Sequence, residues 1–147
     1  MPRRRDAGFR GPLSSLVGSW RLVSAQYEFS DAAEPIPMYG AAPLGRLILT
    51  GDGRMSAMIT CGDRSAAEDE AGLFRGMMAY SGAYRVEADH FVTEVDLAWS
   101  PAWIGTAQTR FFEIEGDLLS LVTANQDHPL FPGRAGRGRL VWRREPS

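Results

Sequence analysis

Apolar and polar residues alternate with period two along most of this chain. The first such run spans 16–29 and predicts a strand in which Trp20, Leu22, Ser24 and Gln26 share one face. Similar runs at 46–50, 54–60, 82–87, 91–99, 107–115, 118–124 and 138–144 bring the count to eight strands. Gly51-Asp52-Gly53 joins two of them as hairpin chemistry, and 88–90 and 115–117 read as tight turns. Only 65–80 breaks the period. Ser65 as cap, Glu68 three residues on, and the stripe Leu73, Phe74, Met77 and Met78 predict a helix after the third strand. Gly72 and Gly76 weaken that helix, so packing has to hold it.

Three connections are long. The segment 30–45 carries Pro35, Pro37 and Pro43 and is read as a loop over the mouth of the fold. A corner at 100–106 holds Pro101 and Trp103, and 125–137 reads as a second loop. Eight antiparallel strands joined in succession predict an all-β, up-and-down barrel with no free edge, wide enough for one small ligand. An open sandwich is the structural rival. The chain divides into an arm at 1–12 and one barrel domain at 13–147.

Composition narrows the partners. At 147 residues, 44% hydrophobic and with net charge −2, one globular domain without general polyanion affinity is expected. All 16 basic residues are arginine, which excludes lysine Schiff-base chemistry. GC-rich codon usage is a sufficient cause for that bias. Arg3, Arg4 and Arg5 are read as a solvated tail, not a nucleic-acid contact. No apolar stretch follows them, and no run has the ~18 apolar residues of a membrane span. The expectation is a cytoplasmic protein, monomer or homodimer, with no nucleic-acid or membrane partner. Cys61 alone makes neither an internal disulfide nor a thiolate metal site.

The chemistry-bearing residues cluster on 91–99 and 107–115. Glu94 and Asp96 share a face, as do Gln108, Arg110 and Phe112. If both faces point inward, two carboxylates meet one arginine and one acid stays under-neutralised, which suits proton transfer. If Val95, Leu97 and Trp99 point inward instead, the carboxylates are solvated, and alternation alone does not choose. Tyr84 is a further hydrogen-bond donor or a wall residue. Met38, Tyr39, Trp99 and Trp103 are expected at the mouth, with Gln26, Met58 and His128 as further ligand contacts. Neither His90 nor His128 has a partner at metal spacing, so no metal and no cofactor is expected.

Taken in order, Leu16-Val17-Gly18-Ser19-Trp20, the stretch 45–57 around Gly51-Asp52-Gly53, Pro101-Ala102-Trp103-Ile104-Gly105 and Arg139-Leu140-Val141-Trp142 resemble the lipocalin-like domain family. The resemblance spans roughly residues 13–144. It implies a barrel with an internal apolar pocket, a Gly-x-Trp plug at its closed end, and an arginine from the last strand packed on that tryptophan. It implies no single reaction. Where related sequences carry histidine before the Pro-Ala-Trp corner, this chain has Thr93-Glu94-Val95-Asp96. Two functions fit: a cofactor-independent cyclase or isomerase for a polyketide- or terpenoid-like substrate, with Glu94, Asp96, Arg110 or Tyr84 moving protons, or a non-catalytic carrier or sensor of a small hydrophobic ligand.

Overall fold

The computed structural model describes residues 15–31, 34–65, 68–124, 126–128 and 131–146, with the backbone alone at 126–128 and 131–134. The arm expected at 1–12 lies outside the described residues. The strands are β1 (Gly18–Phe29), β2 (Ile36–Pro37), β3 (Leu44–Leu49), β4 (Arg54–Thr60), β5 (Met77–Val86), β6 (His90–Ala98), β7 (Ala107–Glu115), β8 (Leu118–Thr123), β9 (Gln126–His128) and β10 (Phe131–Arg144). One helix, α1 (Glu70–Arg75), follows β4, and a 3-10 turn (Pro101–Trp103) follows β6.

Strands β1, β3, β4, β5, β6, β7, β8 and β10 pair in that order, every pair antiparallel. Strand β10 then returns to β1, from Trp20 opposite Arg144 to Phe29 opposite Gly136, and the sheet closes into an eight-stranded barrel. The short β2 and β9 pair beside β1 and β10 at one end. Closure removes free edges from the wall and leaves its inner face to form the core. Trp20, Tyr27, Leu47, Leu49, Ile59, Phe91, Leu119 and Trp142 are among the residues it buries. Among the described residues no helix is long and apolar enough to cross a membrane.

Three local expectations are corrected. The helix predicted over 65–80 forms only at Glu70–Arg75, capped by the Asp69 carboxylate, which accepts from the Gly72 N–H at 2.8 Å. Gly76 ends it, and Met77 to Tyr80 pair with β4 as the start of β5. Their backbone groups gain ladder partners that a glycine-weakened helix holds less firmly. The loop expected at 125–137 contains β9 and the first half of β10. Finally, a β-bulge between Leu22 and Ser24 inverts the alternation of β1. Trp20 and Leu22 face inward before it, and Ala25, Tyr27 and Phe29 after it.

The two barrel ends differ in construction. The hairpins at 50–53, 87–89 and 116–117 gather where β1 begins and β10 ends, and this end is plugged by Trp20. Gly18 sits there at φ 142°, and a Cβ would crowd the Arg144 guanidinium. The opposite end carries 30–43, α1, the 3-10 turn and the β8–β9 connection.

Candidate functional site

The barrel encloses a small internal cavity of about 40 Å³. Met55, Ala57 and Ile59 of β4, Met78 and Tyr80 of β5, and Leu140 and Trp142 of β10 supply much of its wall. Met38 and Tyr39, from the connection after β2, close it from the open end, and both are buried. The Met38 N–H donates to the Ala25 carbonyl at 2.9 Å, tying that connection to β1. Tyr39 has φ 62°, a left-handed conformation that is costly for a bulky L-residue. Packing holds it there, with the phenol sealed inside the barrel.

The same cavity exposes a guanidinium. Arg110 of β7 is 6% exposed, and its Nη1 donates to the neighbouring Thr109 carbonyl at 2.9 Å. Its Cζ lies 5.9 Å from the centre of the Tyr80 ring. Among the described residues no carboxylate forms an ion pair with it. Thr93 and Thr123 are the other buried polar side chains of the described core. Thr123 Oγ1 is fully engaged, accepting from the Gly138 N–H at 2.9 Å and donating to the Ala124 carbonyl at 3.1 Å. Trp142 is 1% exposed, and its indole N–H, like the Thr93 hydroxyl, has no partner among the described protein atoms.

The inward set matches the expectation on one strand and not on its neighbour. Arg110 and Phe112 lie on the inner side of β7, with Phe112 packed against Phe91 at 6.3 Å between ring centres. Gln108, half-buried on the same strand, donates to Thr106 Oγ1 at 2.9 Å. On β6, Phe91, Thr93 and Val95 are buried. Glu94 and Asp96 lie on the outer wall with side chains 59% and 53% exposed, paired to Arg85 at 3.2 Å and Arg54 at 2.9 Å. The expected meeting of these carboxylates with Arg110 does not occur. Burying Phe91, Val95 and the smaller, uncharged Thr93 leaves the two charges in water, where desolvation costs nothing.

Other expected contacts divide in the same way. Trp103 lines the cavity and packs on Tyr80 at 5.2 Å. Trp99 sits one step further out, stacked edge-on to Trp103 and donating from Nε1 to the Phe74 carbonyl of α1 at 3.3 Å. Gln26 points outward because of the β1 bulge. Met58 is 54% exposed on the outer side of β4, opposite to Met55. Tyr84 is buried near the closed end, its hydroxyl donating to the Thr50 carbonyl at 2.8 Å, so it fastens a hairpin and does not reach the cavity. The expectation for His128 falls on a side chain outside the described residues. The sequence analysis missed Tyr27, Tyr80 and Trp142 as cavity residues. Their period-two spacing was visible, but Tyr80 had been assigned to the helix.

Titration follows burial. Desolvation pushes the Tyr39 phenol far above its ordinary range, although the nearby Arg110 charge pulls the other way. It therefore stays a protonated donor near neutral pH. Burial, and then Asp63, also raises the Cys61 thiol, which disfavours the nucleophilic thiolate. Among the described residues no group of three or more His, Cys, Asp or Glu side chains is placed to hold a metal ion. Larger concavities, about 460 and 470 Å³, lie on the outer wall and are broadly open to solvent.

At the closed end, Arg144 of β10 lies over the Trp20 ring at 4.2 Å and donates to the Val17 and Ser15 carbonyls. The Trp20 indole N–H donates to the Leu16 carbonyl at 3.0 Å. The profile of a lipocalin-like domain matches residues 17–145. This chain belongs to the lipocalin-like domain family. The 4'-hydroxy-3'-methoxypropiophenone carrier protein of Aspergillus oryzae is 36% identical over 88 residues, covering 54% of this chain and 77% of that relative. Among solved structures, a mutant of the fluorescent protein UnaG aligns over 90% of this chain and 97% of its own, at 14% identity and a TM-score of 0.41. Within this lipocalin-like barrel, then, the enclosed apolar cavity with Arg110 at its side is the candidate site.

Proposed function

We propose that this lipocalin-like barrel is a carrier that holds a small, largely apolar aromatic molecule inside the barrel and shields it from water. The observation that carries this reading is the composition of the cavity wall. Methionine and aromatic side chains give an adaptable apolar lining, and a single buried cation supplies a fixed polar contact. The carrier relative supports the ligand class, an aryl ketone with oxygen substituents.

The interior favours holding over catalysis. Among its described residues no carboxylate or histidine is buried, and the Tyr39 phenol is held protonated. Among the described residues, general-base chemistry therefore has no carboxylate or imidazole acceptor at the cavity wall. The cyclase or isomerase expectation loses Glu94, Asp96 and Tyr84 as interior groups. Enforced folding of a reactive substrate is the remaining catalytic route.

Binding requires the mouth to open. Ligand pockets commonly measure roughly 300–1,000 Å³, against about 40 Å³ here. Met38 and Tyr39 fill the missing space, so a guest displaces one or both. Titration of the purified protein with 4'-hydroxy-3'-methoxypropiophenone, followed by tryptophan fluorescence and native mass spectrometry, tests the reading. A saturable one-to-one complex with the ketone recovered unchanged supports it. Release of a chemically altered product shows an enzyme instead.

A further inference from the structure

We infer that the cavity selects guests bearing an ionised oxygen, a carboxylate or a phenolate, and that Arg110 is the counter-charge that seats it. The inference rests on the carrier reading and adds the chemistry of the guest's polar end.

The argument begins with what Arg110 lacks. A guanidinium has five N–H donors and stays charged at any physiological pH. Buried to 6% exposure, Arg110 has one backbone carbonyl and the face of Tyr80 as its partners among the described residues. Burying a charge without a counter-charge is expensive, and folding alone does not call for one here. An aliphatic side chain would fill the position between Phe91 and Thr123, its cross-strand neighbours, at no such cost. A guest oxyanion would remove the penalty by taking the two parallel donors of the fork.

A second observation points the same way. Trp142 also lines the cavity, four positions deeper as counted along β8 from Thr123 to Leu119, and its indole N–H is a donor with no partner among the described residues. Thr123 is already satisfied. The unpartnered polar groups of the described cavity wall, a guanidinium and an indole N–H, are thus groups that only donate. A guest that presents lone pairs at one end, with a ring or chain that packs on Met55, Met78 and Trp103, complements it. A guest that presents N–H or O–H donors does not.

The test compares guests that differ only in that charge. At pH 8.5, 3-phenylpropionate and its methyl ester form one pair; 4'-hydroxypropiophenone and its methyl ether form the other. Each is titrated calorimetrically into wild type, Arg110→Gln and Arg110→Lys, with thermal melts to confirm that the variants fold. Wild type is expected to prefer the ionised member of at least one pair tenfold or more. The pair that shows the preference identifies carboxylate or phenolate. Arg110→Gln should erase the preference, weakening the ionised guests at least tenfold more than their methylated partners, and Arg110→Lys should retain part of it. Equal binding within both pairs, or a preference that survives in Arg110→Gln, overturns the inference and leaves the carrier reading standing. If none of the four probes binds wild type, the carrier reading falls for this ligand class, and the inference falls with it.

Discussion

Two arginines lie over two aromatic rings in this barrel, and their surroundings are opposite. Arg144 stacks on Trp20 at 4.2 Å and donates to two backbone carbonyls. Arg110 stands 5.9 Å from the Tyr80 ring centre and donates to one carbonyl of its own strand. The first is a satisfied structural cation that closes the end where β1 and β10 meet. The second is buried with donors to spare, beside a cavity capped by a strained tyrosine. Side chains of the same type thus do different work according to whether the fold supplies their partners. At the closed end the cation is satisfied, whereas among the described residues the cavity wall retains unspent hydrogen-bonding capacity.

Four variants and one pH comparison break or sharpen that contrast. The largest effect is expected from Arg144→Met, which removes two charge-assisted hydrogen bonds and a cation–π contact. Urea unfolding should show a loss of about 3 kcal/mol, with guest binding unchanged in the variant that remains folded. Next, Tyr39→Gly relieves a left-handed backbone strain but discards a buried ring, for a net loss of about 2 kcal/mol. Stopped-flow mixing should show faster guest association, because the mouth no longer has to clear a phenol. If association is unchanged, Tyr39 is not the barrier.

Arg110→Met should act in the opposite sense to Arg144→Met. Replacing a buried charge that has no ion-pair partner among the described residues with an apolar side chain of similar length should raise the unfolding free energy by about 1 kcal/mol while weakening oxyanion guests. A clear loss of stability would make Arg110 a second structural arginine and erase the comparison. Smaller still, Glu94→Gln with Asp96→Asn should change stability by less than about 0.5 kcal/mol and binding not at all, since their ion pairs are surface contacts.

The last effect lies on the β1–β10 seam. A hydrogen bond from Arg139, outweighing partial burial, holds the Glu28 carboxyl below its ordinary value of 4.5; the charges of Arg139 and Arg137 reinforce it. Its contribution, under about 1 kcal/mol, is present above the unfolded carboxyl's range and lost as pH falls through the lowered folded value. Denaturation of wild type and Glu28→Gln should therefore differ slightly at pH 7 and converge in acid.

Much of the barrel was legible because its signals are local. Gly18 and Trp20, the Gly51-Asp52-Gly53 hairpin and the Arg-rich last strand each specify their geometry within a few residues. What failed depended on partners distant in sequence. The bulge after Leu22 is set by the pairing of β1 with β10, and it turns Gln26 outward. On β6, apolar residues occupy both registers, so Glu94 and Asp96 were as compatible with the inside as Phe91, Thr93 and Val95. Register is chosen by β5 and β7, where Gly82 lets the Glu94 carbonyl approach too closely for any Cβ. Met77 to Tyr80 satisfied a helical stripe and a strand equally, and pairing with β4 decided between them. Arg110 was identified from its own strand, but that no carboxylate among the described residues pairs with it became visible only in three dimensions.

The methionines provide the most direct test that a guest enters the barrel. Met38, Met55 and Met78 line the cavity, while Met58 projects from the outer wall of the same strand as Met55. With methyl-labelled methionine, intermolecular NOEs from the aromatic protons of bound 4'-hydroxy-3'-methoxypropiophenone should reach the Met55 and Met78 methyls and leave Met58 silent. NOEs to Met58 with none to Met55 or Met78 would place the guest on the outer wall and contradict the account.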